Sequence, residues 1–439
     1  MLSQLHPDSL TIAYPTRLFC KNRIAKYISM LQYFIFVWCI IFFVVFAYIK
    51  IRFPFWNNQP VFHTYDYWRY FYTQPFILYN YPVKTKFCDT NRVKTLPYLE
   101  CSHQNKIDMA NLLQCYYISS ERVCHTITKD DIHAHFIGNE EPAYISFYNE
   151  IRRNEKIDAS YHINTEDHPI AMISSRPATL YFRPTLQENQ YTETPVNVID
   201  FLCVHRNFDK KKISRTILQT HEYNQRKMDP NISISIIKKE ITLFEGVVPL
   251  VKYKNALFHL RPINVPILPE HFHVISIRKE SSMNTLVDFL HEKTHETNPD
   301  FDLVLIPSIG SLTTLIQSKL CYVFCLRNKE QIIGLYFFKD LKCKYEDIDG
   351  DTLQCVGSVM NVDSPALFFL GFLHGLRSIL KENSSYKMLF IDEMSHNKVL
   401  LKYWREKHTP VFVNDNAYYL FNFIYPRSPL YPEKCLILF

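Results

Sequence analysis

The chain runs to 439 residues, 47% of them hydrophobic and 15% aromatic, which is ample for a large core and excludes a disordered chain. Its net charge is +6 with the basic residues scattered, which fits a small anionic ligand or a membrane surface better than nucleic acid. Eight glycines exclude Gly-rich nucleotide loops, and neither GxGxxG, GxxxxGK[ST] nor a GxSxG elbow occurs.

Residues 1–26 read as a basic N-terminal segment. From Tyr27 to Ile49 the chain is almost wholly apolar and meets no charge until Lys50 and Arg52. About 23 residues make roughly 34 Å of helix, enough to cross a bilayer core of about 30 Å, so 27–49 is expected to be a single transmembrane helix. A cleaved signal peptide is the rival, but the leader before the apolar run and the run itself are both too long for one. Arg17, Lys21, Arg23 and Lys26 precede the run while Lys50 and Arg52 follow it, so flanking charge leaves the orientation open. An aromatic, turn-rich arm follows, Phe53-Pro54-Phe55-Trp56, whose rings either cap a core or stack on a planar ring such as adenine.

From about Lys106 the pattern is mixed. Ile107–Tyr117 and Ile127–Phe136 have helical spacing, and 169–175 and Ala178–Phe182 look like strands. Val198 to His205 alternates as a buried strand does; Lys210, Lys211, Lys212 and Ser214 then open a helical pattern from Lys211 to about Lys227. A strand feeding a basic helix start is an anion-binding arrangement, since the first N–H groups of a helix have no internal partner. The plainer reading is a sheet strand followed by a solvated charge run. Strands at Gln331–Phe338 and Leu353–Asn361, a helix at Ala366–Lys381, and strands at Met388–Ile391 and Ala417–Tyr425 complete a second set. Two successive mixed units suggest a duplicated fold without a sequence repeat. The twelve cysteines lack any CxxC pair and read as reduced and structural. His133 with His135, and His271 with His273, have no Cys or carboxylate at ligand spacing. The Asp347–Asp351 run lacks the acidic residue that closes a calcium loop and reads as an acidic turn, so no metal is expected.

The segment Val198–Leu218, VIDFLCVHRNFDKKKISRTIL, resembles the signature of glycylpeptide N-myristoyltransferases, in which a Glu-Ile-Asn-Phe-Leu-Cys-Val-His-Lys strand precedes a basic loop and helix. Phe55-Trp56 with Gln59-Pro60-Val61 is similar to that family's FWxTQPV arm, Ile173–Pro177 to its FISAIP strand, and Tyr418–Phe423 to its YYLYNW strand. Gly246–Pro249 and Tyr253–Arg261 also look similar, so the resemblance spans about 53–439. It implies an α+β fold of two tandem GNAT-like halves around a saddle-shaped mixed sheet. Residues 50–245 would bind acyl-CoA and 246–439 the peptide, behind one N-terminal transmembrane helix.

The implied reaction moves myristate from myristoyl-CoA, a co-substrate and not a tightly bound cofactor, to the N-terminal glycine of a peptide. The family's oxyanion donors map onto the Phe201 and Leu202 amides, and its C-terminal carboxylate base onto Phe439. The CoA pyrophosphate maps onto Lys210, Lys211, Lys212, Ile213 and Ser214, with Arg206 adding charge and Val204 at the strand end. The adenine end maps onto Phe53, Phe55 and Trp56. Implied partners are acyl-CoA, N-terminal glycine peptides and a membrane held through 27–49, with no nucleic acid. The protein would be single-pass, with its catalytic domain facing the cytoplasm. Departures are Val198 and Asp200 for the family's Glu and Asn, Phe244 for a Thr, and Thr409–Asn416 in place of a Gly-rich KFGxGDG segment. They keep two alternatives open: a catalytically inactive relative that binds acyl-CoA or lipopeptide, and an acyltransferase with altered donor or acceptor.

Overall fold

In the computed structural model, which describes residues 15–118, 123–153, 165–185, 187–188, 190–278, 280–297, 299–329, 331–345 and 348–439, the apolar run is one helix, α1 (Pro15–Arg52). Its stretch Lys26–Arg52, 27 residues, is unburied, and apolar side chains cover every side of it. A helix apolar all round needs either a protein core or lipid, and about 40 Å of it matches a bilayer. The expected span 27–49 lies within this helix. Asn58–Phe439 forms one compact unit and the chain up to Asn57 another.

The larger unit begins with β1 (Phe76–Ile77), β2 (Val93–Pro97), α2 (His103–Tyr116), β3 (Val123–His125) and α3 (Lys129–Phe136). Then come β4 (Tyr144–Arg153), β5 (Thr165–Phe182), β6 (Thr192–Val204), α4 (Lys210–Met228) and β7 (Ser235–Glu240). Its second half opens with β8 (Val251–His259), β9 (Phe272–Ser276), α5 (Glu280–His295), β10 (Leu303–Pro307) and α6 (Ile309–Gln317). It continues through β11 (Cys321–Asn328), β12 (Gln331–Tyr345), β13 (Ile348–Met360), α7 (Pro365–Glu382), β14 (Tyr386–Asp392) and α8 (Asn397–Arg405). Last are β15 (Phe412–Phe421), β16 (Phe423–Ile424) and β17 (Cys435–Ile437). The two runs expected at 169–175 and 178–182 are one strand, because Pro177 sits within β5 opposite Asn197 without ending it. The acidic run belongs to the start of β13 from Ile348 on, while Asp347 lies outside the described residues.

Pairing repeats in the two halves. The antiparallel meander β4–β5–β6 leads through α4 to β7, which lies parallel to β6; the meander β11–β12–β13 leads through α7 to β14, parallel to β13. β15 pairs with β7 and β8 pairs with β14, and β15 pairs with β8, so the halves share one mixed sheet. Helical period decides the covering layer. α7 is capped by Ser364, starts at Pro365, and buries Phe368, Phe372, Leu376 and Ile379 on one stripe. Each such side chain contributes on the order of 2 kcal/mol of burial. The expected α+β, duplicated architecture is the one observed.

Candidate active site

The site begins at a backbone irregularity. β6 pairs Cys203 with Met172 and Asp200 with Ser174, so Phe201 and Leu202 together face Ile173 in a β-bulge. Phe201 has φ 53, a left-handed conformation costly for a bulky residue and frequent at functional positions. A bulge turns main-chain N–H groups out of the ladder, which is how a strand can offer them to a ligand. Here the Phe201 N–H donates to Asp200 Oδ1 of the preceding residue at 2.8 Å.

Asp200 is the hub of a polar cluster. Its Oδ2 lies 3.4 Å from Arg176 Nη2, and the Tyr117 hydroxyl donates to Oδ1 at 3.1 Å. Arg176 is 2% exposed, reaching from β5 across to His135 Nδ1 at 3.4 Å and the His135 carbonyl at 3.5 Å. Burial opposes ionisation of Asp200, but the charges of Lys339 and Arg176 and the Phe201 N–H outweigh it and hold the carboxyl below its usual range. Burial, with Arg176 beside it, drives the His135 imidazole well below its ordinary pKa and keeps it neutral. Burial also lowers the Lys339 ammonium.

Phe439 reaches the same place from the far side of the sheet. β17 lies parallel to β10 with Ile437 opposite Leu305, and β10 lies antiparallel to β5 with Pro307 opposite Ala178. Two residues past Ile437 the chain is level with Ala178, beside Arg176. The Arg176 guanidinium sits 5.2 Å from the centroid of the Phe439 ring. His135, Arg176, Lys339 and Phe439 line one small open pocket, with Leu312, Leu320 and Leu438 among its apolar walls. A short chain of contacts, Phe439–Arg176–Asp200–Phe201, therefore joins the terminal segment to the bulge.

Most of the other candidates follow the bulge directly, from the last residue of β6 into the start of α4. Val204, the last residue of β6, is buried; Arg206 and Lys210–Lys212 are exposed; Ile213 is buried and Ser214 half-buried. Asp209 caps α4, its Oδ1 accepting the Lys212 N–H at 3.0 Å, so one of the helix-start donors is already used. Phe53, Phe55 and Trp56 belong to the other unit, where the Phe55 and Trp56 rings meet edge to face with centroids 4.9 Å apart. Thr409–Asn416, where a Gly-rich loop would stand, becomes strand from Phe412, paired with Leu257. Phe244 donates its N–H to the Tyr419 hydroxyl at 3.1 Å. His133 is engaged by the Tyr98 hydroxyl at 3.0 Å.

Sequence reasoning missed Arg176, Tyr117, His135 and Lys339. The one available signal was an arginine inside an apolar strand pattern, at Ser175-Arg176-Pro177.

The doubled meander, each with a helix returning to a parallel strand, makes two successive halves of like topology in one mixed sheet. Among solved structures the fold matches N-myristoyltransferase of Saccharomyces cerevisiae with bound myristoyl-CoA, with TM-score 0.62 at 12% identity over 87% of this chain and 90% of that one. A second structure of the same yeast enzyme with bound myristoyl-CoA gives TM-score 0.59 at 14% identity over 87% and 93%. A third, with myristoyl-CoA and inhibitors, gives 0.61 at 13% over 88% and 93%. The chain has the N-myristoyltransferase fold. No family model matches the sequence, and no curated protein matches it either.

Proposed function

We propose that the chain is a membrane-anchored acyltransferase that moves a myristoyl group from myristoyl-CoA to the N-terminal glycine amine of a protein. The observation that carries the reading is the convergence of Phe439, Arg176 and Asp200 on the bulge at Phe201 and Leu202, in a fold whose solved yeast example holds myristoyl-CoA. The thioester oxygen would take the Phe201 and Leu202 N–H groups; the amine attacks the carbonyl carbon; the C–S bond breaks and CoA leaves as the thiolate. One such donor is worth about 10²–10³ in rate. The amine's proton would go to the C-terminal carboxylate that the resemblance assigns to Phe439, and from there to the thiolate. An α-amino group has a pKa of about 7.7 to 8.0, so a well-placed weak base suffices.

Lys210–Lys212, Ile213, Ser214, Arg206 and Val204 would hold the pyrophosphate of acyl-CoA. Residues 246–439 would hold the peptide. α1 would cross the bilayer with the larger unit on the cytoplasmic side, where acyl-CoA is available. A single myristoyl chain binds membranes only marginally, with a constant of about 10⁴ M⁻¹, so acylation close to a bilayer would shorten the product's path to lipid.

One observation favours a second reading. Asp200 already occupies the Phe201 N–H, as it would in an inactive module that binds acyl-CoA without turning it over.

The test is release of free CoA by the full-length chain in detergent, given myristoyl-CoA and Gly-starting peptides, with an acyl-length series to fix the donor. Turnover is expected, and one residue added after Phe439 is expected to lower it by about 10²-fold or more. An unchanged rate in the extended chain removes the carboxylate mechanism. Tight myristoyl-CoA binding without turnover on any Gly-peptide establishes the binding module instead.

A further inference from the structure

Past Arg52, the described residues expose seventeen large apolar side chains, and nine of them fall between Tyr67 and Val83. Tyr67, Trp68, Phe71, Tyr72 and Tyr81 are 71, 80, 80, 56 and 83% exposed. An apolar surface concentrated this way marks an interaction site, since exposed apolar residues elsewhere are scattered singly.

The rings are held outward by a fixed frame. Tyr67–Phe71 is a 3-10 turn whose Trp68 and Phe71 rings stand side by side, centroids 6.2 Å apart, while Tyr70 turns in to pack on Phe62 at 4.7 Å. β1, immediately after, pairs with β16. The Asn422 side chain accepts from the Tyr79 N–H at 3.0 Å and donates to the Tyr79 carbonyl at 3.0 Å, and Arg226 Nη2 donates to that carbonyl at 2.6 Å. These bonds fix Phe76–Tyr79 on the body, and the exposed rings stand on either side of it.

We infer that this aromatic segment, Tyr67–Val83, is a membrane-interface surface that seats its rings among the headgroups of an anionic phospholipid bilayer. Tyrosine and tryptophan, an apolar ring with a polar tip, are the side chains that collect at that depth. The charge agrees. Asp66 is neutralised by Arg69 at 2.6 Å, no Asp or Glu occurs from Tyr67 to Cys88, and Lys84 and Lys86 follow the rings. Lipid is also within reach, because α1 ends at Arg52, about fifteen residues upstream and so no more than about 50 Å of extended chain. The inference rests on α1 being an anchor.

The experiment places a photo-crosslinking benzoylphenylalanine at Trp38, Trp68, Phe71 or Leu99 in the full-length chain. Each variant is reconstituted in vesicles of phosphatidylcholine and phosphatidylserine. Light-dependent lipid adducts are expected at Trp38 inside α1 and at Trp68 and Phe71, but not at Leu99, which is 75% exposed on a helical turn outside the segment. Adducts at Trp38 without adducts at Trp68 and Phe71, or adducts there to a second copy of the chain, overturn the interface surface while leaving the anchor standing. No lipid adduct at Trp38 removes the anchor and the inference with it. The double variant Trp68→Ser/Phe71→Ser is expected to keep the parent's melting temperature, since both rings are solvent-exposed; a large drop would mean that they are core.

Discussion

At Phe201 one N–H has two claimants, the Asp200 carboxylate that now holds it and the oxyanion it would serve. A carboxylate about 4 Å from a developing negative charge costs on the order of 4 kcal/mol at an effective dielectric of 20, so the proposed catalysis would require Asp200 to swing toward Arg176. Asp200→Asn removes the charge, keeps a side chain of the same shape, and leaves Arg176 less strongly engaged. It is expected to raise the turnover rate by roughly tenfold or more, about 1.4 kcal/mol, read in the CoA-release assay. A rate that instead collapses would assign Asp200 to binding the substrate ammonium. Glu222 gives a prediction of another kind. It is 1% exposed, its Oε1 accepts from Gln225 Nε2 at 2.9 Å, and burial pushes its pKa up from 4.5 to about 7. Between those values the folded chain keeps a proton that the unfolded chain releases, so this group's contribution to stability is full below about pH 4.5 and lost as pH rises through about 7. The loss is on the order of 3 kcal/mol. Denaturant unfolding of Glu222→Gln should therefore gain about that much on the parent between acid and mildly alkaline pH. A constant gap at all pH values would show that Glu222 titrates normally.

Glycine is scarce in this chain, and two of its eight glycines clasp two helices. Gly138 follows α3 with φ +80, and a Cβ built on Gly310, in α6, would stand 2.3 Å from the Gly138 carbonyl oxygen. Both partners are backbone, so neither can rotate away. Gly310→Ala must push α3 and α6 apart, a cost of about 2–4 kcal/mol that thermal unfolding would read as a clear drop in melting temperature. α3 also carries His135 against Arg176, so activity should fall further than stability alone explains; an unchanged melting temperature would contradict the clasp. Elements of this kind were the most legible feature of the sequence. The stripe of α7 follows its helical period because one face of it meets the core, whereas β6, β12 and β13 read as nearly continuous apolar runs because both of their faces are covered. Pairing was not legible. β17 finds β10 more than a hundred residues away, and Arg176 finds Asp200 on a neighbouring strand, contacts fixed by sheet register and by nothing in the local pattern. Phe201 could be matched to an oxyanion donor by its motif, yet the Asp200 carboxylate on its N–H appears only once the bulge is seen.

At the scale of the whole molecule, the sheet and α1 obey different solvents. Within Asn58–Phe439 the apolar stripes face inward: Leu335, Leu353, Phe368 and Leu389 are all 0% exposed, a surface that water alone is enough to hold together. In α1 the order is reversed, with Phe36, Phe42 and Phe43 exposed by 63, 69 and 72%. At roughly 25 cal/mol per Å² a run of such rings left in water costs tens of kcal/mol over the helix, while in hydrocarbon the same rings are the stabilising term. The main-chain groups of a continuous helix are already paired internally, so lipid imposes no further penalty on them. These two balances predict that the parts separate cleanly. The full-length chain should sediment with membranes and resist extraction by alkaline carbonate, and deletion of residues 15–52 should abolish that resistance. The remaining unit should keep a cooperative thermal transition, because its core clusters draw on residues after Asn58 alone. Replacing Phe43, near the middle of the apolar stretch, by Arg should weaken insertion by about 2.5–3.5 kcal/mol without touching the transition of the larger unit. A chain freed by carbonate with α1 intact would mean that the helix lies along the bilayer or against protein instead of across it.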